Sequence, residues 1–425
     1  MPNQSDNLDR NVTEPAAFAT RPPRSSQLPT IKLPRPRPDS WKSRPAQIAA
    51  VLLASLALGF GGGWLGATLS TDGSDESGSV RINKQNILSE SELISQIAKD
   101  VGQSVVSVDV QGDVTGRDLF GLPSSIVQQS AGTGFIINTD GTIVTNRHVV
   151  PSGTSQVSVT LADGTKFDNV EVIGRTSANN PLDIAFLKIK DTKGKKLTAV
   201  KLGDSAKIKV GERVVAIGNA LGQFQNTVTS GIISGYGRDV TAGDQTGGQQ
   251  ESLTDLFQTD AAINQGNSGG PLVNINGEVI GVNTAVAGNA QNIGFAIPIN
   301  DIKGLINTVL KQGKFVQPYL GVRYVTLTDD VAYQYNLKTN RGAYLAPSTD
   351  GQSTVLPDSP AAKAGLKEKD IITKINNLAI DDKTSLSSAI SRFTVGETVK
   401  LTVIRDGKSI NLTATLAEAP TSVNQ

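Results

Sequence analysis

The sequence predicts a mostly β protein, built as barrels or a sandwich, followed by a smaller α+β module and preceded by one transmembrane helix. Three observations carry this reading. Residues 86–314 alternate apolar and polar side chains with period two, broken repeatedly by turn signals. Residues 315–418 mix strand-like runs with two short helical stretches. Residues 46–69 form a run of 24 residues without a single charge.

Taken in order, the first 45 residues hold 9 of the 19 prolines, eight Lys or Arg and four Asp or Glu, with no apolar periodicity. That composition predicts a disordered tail. As a helix, the run at 46–69 reaches about 36 Å at 1.5 Å per residue, enough for a hydrocarbon core of about 30 Å. Seven Lys or Arg and one Asp lie between Arg21 and Arg44, which places the tail in the cytoplasm by the positive-inside rule. Three consecutive glycines at 61–63 weaken this helix without forbidding it. The alternative is a cleaved signal peptide, against which stand the long preceding region and the lack of a good A-x-A site after the run. A Pro-rich tail carrying acids fits a mitochondrial presequence less well still. After a polar linker, residues 70–85, the rest of the chain is expected outside the cytoplasm, in a periplasm or at a cell surface.

The strand region opens with VSVDV and runs through GFIINTDGTIVTN, QVSVTLADGTKFDNVEVIG, DIAFLKIK, RVVAIG, TVTSGIISGYG, PLVNINGEVIGVNTAV and IGFAIPI. Asp140-Gly141, Asp163-Gly164 and Asn276-Gly277 stand where hairpin turns belong. Residues 301–311 read as a terminal helix with Leu305, Ile306 and Leu310 on one side. In the last module, helices are expected around 361–364 and 386–393, and residues 419–425 are a tail. There is no solenoid repeat.

Composition removes several function classes. Forty Lys and Arg against 39 Asp and Glu leave a net charge of +1, which offers no chain-wide electrostatic case for nucleic acid. The chain has no Cys, which excludes disulfides, thiolate metal sites and a Cys nucleophile. Its one histidine, His148, excludes a multi-histidine metal site. Any imidazole chemistry belongs to that residue, and neither a metal nor an organic cofactor is expected.

Three segments carry nucleophile chemistry. Gly266-Asn267-Ser268-Gly269-Gly270-Pro271 sets a serine in a glycine-rich turn that admits a substrate backbone and aims N–H groups at one point. His148 follows a strand in Thr145-Asn146-Arg147-His148-Val149-Val150, and Asp183 opens another in Pro181-Leu182-Asp183-Ile184-Ala185. Each is ordinary alone: a surface histidine, a hairpin, an aspartate before a strand. Together, in the order His, Asp, Ser and inside a two-barrel strand pattern, they match the chymotrypsin-like arrangement.

The segments TNRHVV, PLDIAFLKI, VTSGIISGYGRD, TDAAINQGNSGGPLVN and IGFAIPI resemble those of the HtrA family of serine proteases, the DegP/DegS type, over residues 86–418. One departure is Gln265, where that family usually has proline. The resemblance implies a chymotrypsin-like double β-barrel protease domain over 86–314 and a PDZ domain over 315–418. It implies Ser268 as nucleophile, His148 as general base, Asp183 as its orienting carboxylate, and the N–H groups of Gly266 and Ser268 as the oxyanion hole. Thr284, Ala285 and Val286 would pair with substrate main chain, and Ile293 would line a primary pocket suited to small aliphatic side chains. Leu320, Gly321 and Val322 would bind the carboxylate end of a peptide. The alternative is a PDZ fold used only for packing. The polar loop between Arg238 and Asp255 is either a regulatory sensor or a plain flexible loop. The family also implies a homotrimer acting on unfolded or misassembled proteins, in quality control or a stress signal. A chaperone-like or scaffolding protein that binds such chains and rarely cuts is the rival.

Overall fold

Alternation of side chains across each strand divides residues 105–298 into two sheets and three cores. The computed structural model describes Ser55 and residues 84–117, 123–178, 180–220, 224–242, 251–264, 266–286, 292–348 and 351–420. The expected tail at 1–45, the apolar run apart from Ser55, the linker up to residue 83, the loop at 243–250, and Gln265 lie outside the described residues. The last two linker positions, 84 and 85, belong instead to a helix. Among the described residues no helix is long and apolar enough to cross a membrane.

The first sheet comprises β1 (Val105–Arg117), β2 (Pro123–Asn138), β3 (Thr142–Thr145), β4 (Thr154–Leu161), β5 (Lys166–Phe167), β6 (Glu171–Arg175) and β7 (Ala185–Lys188). Its order is β5-β4-β1-β2-β3-β7-β6, and it curls round Val106, Val108, Ile136, Ile143, Val159 and Leu187. The second holds β8 (Lys201–Leu202), β9 (Arg213–Ala220), β10 (Phe224–Ala242), β11 (Glu251–Thr259), β12 (Pro271–Asn274), β13 (Glu278–Val286) and β14 (Gly294–Pro298). Pairing of β12 with β13 closes it into a barrel, whereas the described strands of the first sheet leave its two ends unpaired. Neighbouring residues face opposite ways: Val214 and Ala216 fill the second barrel, while Val215 and Ile217 face a larger core shared with Val105, Phe135 and Phe186 of the first sheet.

The chain enters this domain through a helix, not a strand. Helix α1 (Lys84–Gly102) carries Ile94, Ile97 and Val101 at helical spacing, and this stripe packs on the core between the sheets. An Arg213–Glu90 ion pair at 2.7 Å ties it to β9. At the other end a 3-10 turn (Ile299–Ile302) precedes helix α2 (Lys303–Gln312). Leu305, Ile306 and Val309 are buried there, whereas Leu310 is 39 % exposed. The expected inward place for Leu310 is therefore corrected: the helix starts at Lys303, and its inward stripe runs 305, 306, 309.

The last module has a two-strand pair, β15 (Pro318–Tyr319) with β22 (Ala417–Glu418), and a larger sheet. That sheet joins β16 (Val325–Thr326), β17 (Ala343–Tyr344), β18 (Ile371–Ile375), β20 (Thr398–Arg405) and β21 (Lys408–Thr415), with β19 (Leu378–Ala379) on β18. Helices α3 (Asp329–Gln334), α4 (Pro360–Lys363) and α5 (Leu386–Ser391) complete it. Its own core centres on Leu345, Ile372, Leu386, Val399 and Leu401. Helix α5 and the residues after it dock on the protease side. Arg392 pairs with the buried Asp301 at 2.8 Å, and the N–H of Ser385 donates to Asp255 Oδ2 at 2.8 Å. Gly304 of α2 permits this contact, because a Cβ there would stand 2.1 Å from the Phe393 carbonyl oxygen.

Candidate active site

Asp183 is the fixed point of the site. It is wholly buried just before β7, and four groups converge on its carboxylate or backbone. The His148 N–H donates to Oδ1 at 3.0 Å, and His148 Nδ1 lies 2.6 Å from Oδ2. Thr284 Oγ1 donates to Oδ2 at 2.8 Å, and Asn146 Nδ2 donates to the backbone carbonyl at 2.8 Å. Burial alone pushes such a carboxyl up, but His148 with its hydrogen bond, then Arg147 and Thr284, holds Asp183 down to about 2. It is therefore an anion at neutral pH that accepts from the imidazole and never competes for its proton.

The turn after β3 supplies the histidine. Asn146 and Arg147 are buried, while the His148 side chain is 39 % exposed, so its ring reaches the cleft with its Nδ1 edge held from behind. The serine turn sits against β2 by close backbone contact. Thr133 N–H donates to the Ser268 carbonyl at 3.0 Å, and Gly269 N–H donates to the Asn283 carbonyl at 2.8 Å. Gly269 has φ of +83°, and a Cβ there would stand 2.1 Å from the Thr133 carbonyl oxygen, so only glycine fits. Asn267 locks the preceding loop, accepting from Asn264 N–H at 2.9 Å and donating to the Ala262 carbonyl at 2.9 Å.

Ser268 Oγ donates to the Thr284 carbonyl at 3.4 Å. Thr284 thus touches Ser268 through its backbone and Asp183 through its side chain, joining two groups 85 residues apart in sequence. Its side chain is turned inward, away from any substrate. Sequence reasoning missed that, along with Thr133, Asn146 and Arg147. For Arg147 the only signal was its place beside the histidine.

Among the described residues, neither the Gly266 nor the Ser268 N–H has a hydrogen-bond acceptor. The Gly266 carbonyl is engaged by Thr133 Oγ1. The peptide after Gly266 is held by that contact, and both N–H groups remain available at the nucleophile turn. Beyond Val282, β13 leaves β12, while Ala285 and Val286 stay paired with Phe295 and Gly294 of β14. The opposite edge at 284–286 has no strand partner among the described residues. Ile293 is half-buried against the core between the sheets.

The predicted peptide loop lies at a second cavity. Leu320, Gly321 and Val322 line it with Leu386 and Ile390, and the opposite wall is Asn180, Pro181 and Leu182, the residues leading into Asp183. Gly321 has φ of +86° with Ser359 packed behind it. Tyr324 Oη and Ser387 Oγ, both lining the cavity, are 2.8 Å apart.

A trypsin-like peptidase domain model matches residues 132–282, and a PDZ domain model matches residues 318–416. The serine protease HhoA of Synechocystis sp. is 37 % identical over 356 residues, 79 % of this chain and 87 % of that protein. The periplasmic serine endoprotease DegP of Escherichia coli K12 is 40 % identical over 292 residues, 68 % of this chain and 57 % of that longer protein. A solved structure of the HtrA-type protease AlgW with a decapeptide superposes with a TM-score of 0.54 at 30 % identity, covering 77 % of this chain and 99 % of that one. With a trypsin-like domain holding paired histidine and aspartate beside a serine turn, and one PDZ domain behind it, this chain belongs to the HtrA family of trypsin-like serine endopeptidases.

Proposed function

We propose that Ser268, His148 and Asp183 are the catalytic triad of an endopeptidase that cleaves unfolded or misassembled proteins. The observation that carries this is the convergence on Asp183 of the His148 ring, the His148 backbone N–H and Thr284, whose carbonyl accepts from the Ser268 hydroxyl. In the reaction Ser268 Oγ attacks the scissile carbonyl carbon as His148 takes its proton, giving a tetrahedral oxyanion. The N–H groups of Gly266 and Ser268 stabilise that charge. His148 then protonates the leaving amine, and water repeats the sequence on the acyl-enzyme. Asp183 holds the imidazole in the tautomer whose Nε2 accepts, and stabilises the imidazolium. Substrate main chain adds along 284–286 as a strand, and Ile293 borders a pocket for small aliphatic side chains.

The wider assignment rests on sequence and on relatives. The charge-free run at 46–69 anchors the chain with its N-terminus in the cytoplasm, and the relatives named periplasmic fit catalytic domains outside it. Like the family, the chain is expected to work as a homotrimer in quality control or stress signalling, with C-terminal peptides at Leu320, Gly321 and Val322. Turnover of an unfolded protein substrate by Ser268→Ala tests the reading. Loss of about 10⁶-fold is expected from removal of a serine nucleophile. Retained binding of unfolded chains with equal, slow cleavage by wild type and variant would instead support the scaffolding alternative.

A further inference from the structure

Arg147 is a buried guanidinium on the residue before the histidine, and the segment it faces has no strand ladder to hold it. Between β6 and β7, residues 176–178 and 180–184 form no strand. Their carbonyls turn inward onto Arg147 instead: Nη1 donates to the Leu182 carbonyl at 3.2 Å, the Asn180 carbonyl at 3.3 Å and the Ser177 carbonyl, and to Thr176 Oγ1 at 3.2 Å. Nε stands 3.9 Å from Asp183 Oδ1. One side chain therefore grips the loop that delivers Asp183, while the next residue in the chain receives that carboxylate.

We propose that Arg147 is a positioning residue for the triad, fixing the loop that presents Asp183 and balancing the carboxylate's charge as His148 sees it. This rests on the triad reading above. Backbone carbonyls that point inward from a loop need donors, and the two N–H groups of Nη1 are shared among these acceptors while Nε faces Asp183, a two-ended grip that a single lysine ammonium cannot reproduce. Its charge has a second consequence. Among the described residues, the charged groups set against the His148 turn are Asp183, Arg147 and Arg175, whose Nη1 donates to the Val150 and Pro151 carbonyls. Asp183 favours the imidazolium, and Arg147 offsets part of that field. Removing the cation leaves Asp183 less screened, so His148 keeps its proton to higher pH.

The test measures kcat/KM against pH for wild type, Arg147→Gln and Arg147→Lys, each normalised to the fraction of protein that a fluorophosphonate titrates, and for Ser268→Ala normalised to total folded protein. Glutamine retains hydrogen-bonding capacity but drops the charge. Arg147→Gln is expected to lose about tenfold in rate and to move the acid limb up by about 0.5 unit, while Arg147→Lys keeps the limb within about 0.2 unit. Loss of alignment alone lowers the rate and leaves the limb in place, so an unmoved limb in Arg147→Gln overturns the proposal. Should the glutamine variant fail to fold, Arg147→Lys decides: several-fold loss of kcat is expected because one ammonium cannot hold the loop carbonyls and face Asp183 at the same time, and a wild-type kcat overturns it. Hydrolysis surviving in Ser268→Ala would overturn the triad reading and this role with it. Loss in Ser268→Ala beside an unaffected Arg147→Gln removes only the role of Arg147.

Discussion

At the scale of single residues, the site depends on holding one carboxylate charged inside a closed environment. Thr284 Oγ1 is one of its few neutral donors, and hydrogen bonds to charged groups contribute about 1.5–3 kcal/mol. Thr284→Val keeps the shape and removes the donor, so kcat/KM is expected to fall about 10- to 100-fold with little change in KM. An unchanged kcat in that variant would deny Thr284 its hold on Asp183. The carboxylate also contributes to stability. Its folded pKa lies near 2, below the ordinary value of 3.8, so the contribution is complete above about pH 4 and is lost as pH falls from about 4 to 2. The side chains proposed as catalytic stand out in sequence because their chemistry is local: one histidine in the chain and one serine in a GNSGG turn. The hold of Thr284 and Arg147 on Asp183 was not legible, because Asp183 stands 101 and 36 residues away from them along the chain. Only the strand pairing brings those positions together.

At the scale of elements, the strands were readable from period-two alternation and the turn glycines, while helix α1 was not. Its apolar residues form a narrow stripe among serines, glutamines and lysines, and the strand pattern that follows begins only at Val105. The junction between the two domains was also invisible, since it joins Asp255 and Asp301 of one to residues 385–392 of the other. Burial pushes Asp301 up to about 6 against the pull of Arg392, and Asp255 is raised by the same cause. The folded chain then holds a proton on Asp301 more tightly than the unfolded chain. Its contribution is therefore fullest below about pH 4 and is lost as pH rises from about 4 to 6. In Asp301→Asn the difference in melting temperature from wild type is expected to change across that window and stay flat above it. A difference independent of pH from 4 to 7 would contradict the assignment. Gly304→Ala probes the same junction by sterics. In a free helix the change stabilises by up to about 1 kcal/mol, whereas here a Cβ meets the carbonyls of Phe393 and Ser391. A loss of about 1–3 kcal/mol is expected, with faster amide exchange confined to α5. Stabilisation would mean the junction yields freely.

At the scale of the whole molecule, the loop that carries Asp183 also borders the last module, beside the junction at Asp255 and Asp301. That loop delivers Asp183 to His148, and its residues 180–182 also line the cavity shared with Leu320, Gly321 and Val322. A charge-free run near the N-terminus is expected to bring both domains to a membrane. Full-length chain should therefore sediment with membranes and resist extraction by carbonate, and a chain beginning at residue 82 should not. The central claim is that His148, held by Asp183, makes Ser268 a nucleophile. Its most direct test is the rate of covalent labelling by a fluorophosphonate, with the modified residue identified by mass spectrometry. The account predicts rapid labelling confined to Ser268 in the wild type, slowed by several orders of magnitude in His148→Ala. Labelling at another residue, or an equal rate without the imidazole, would contradict it.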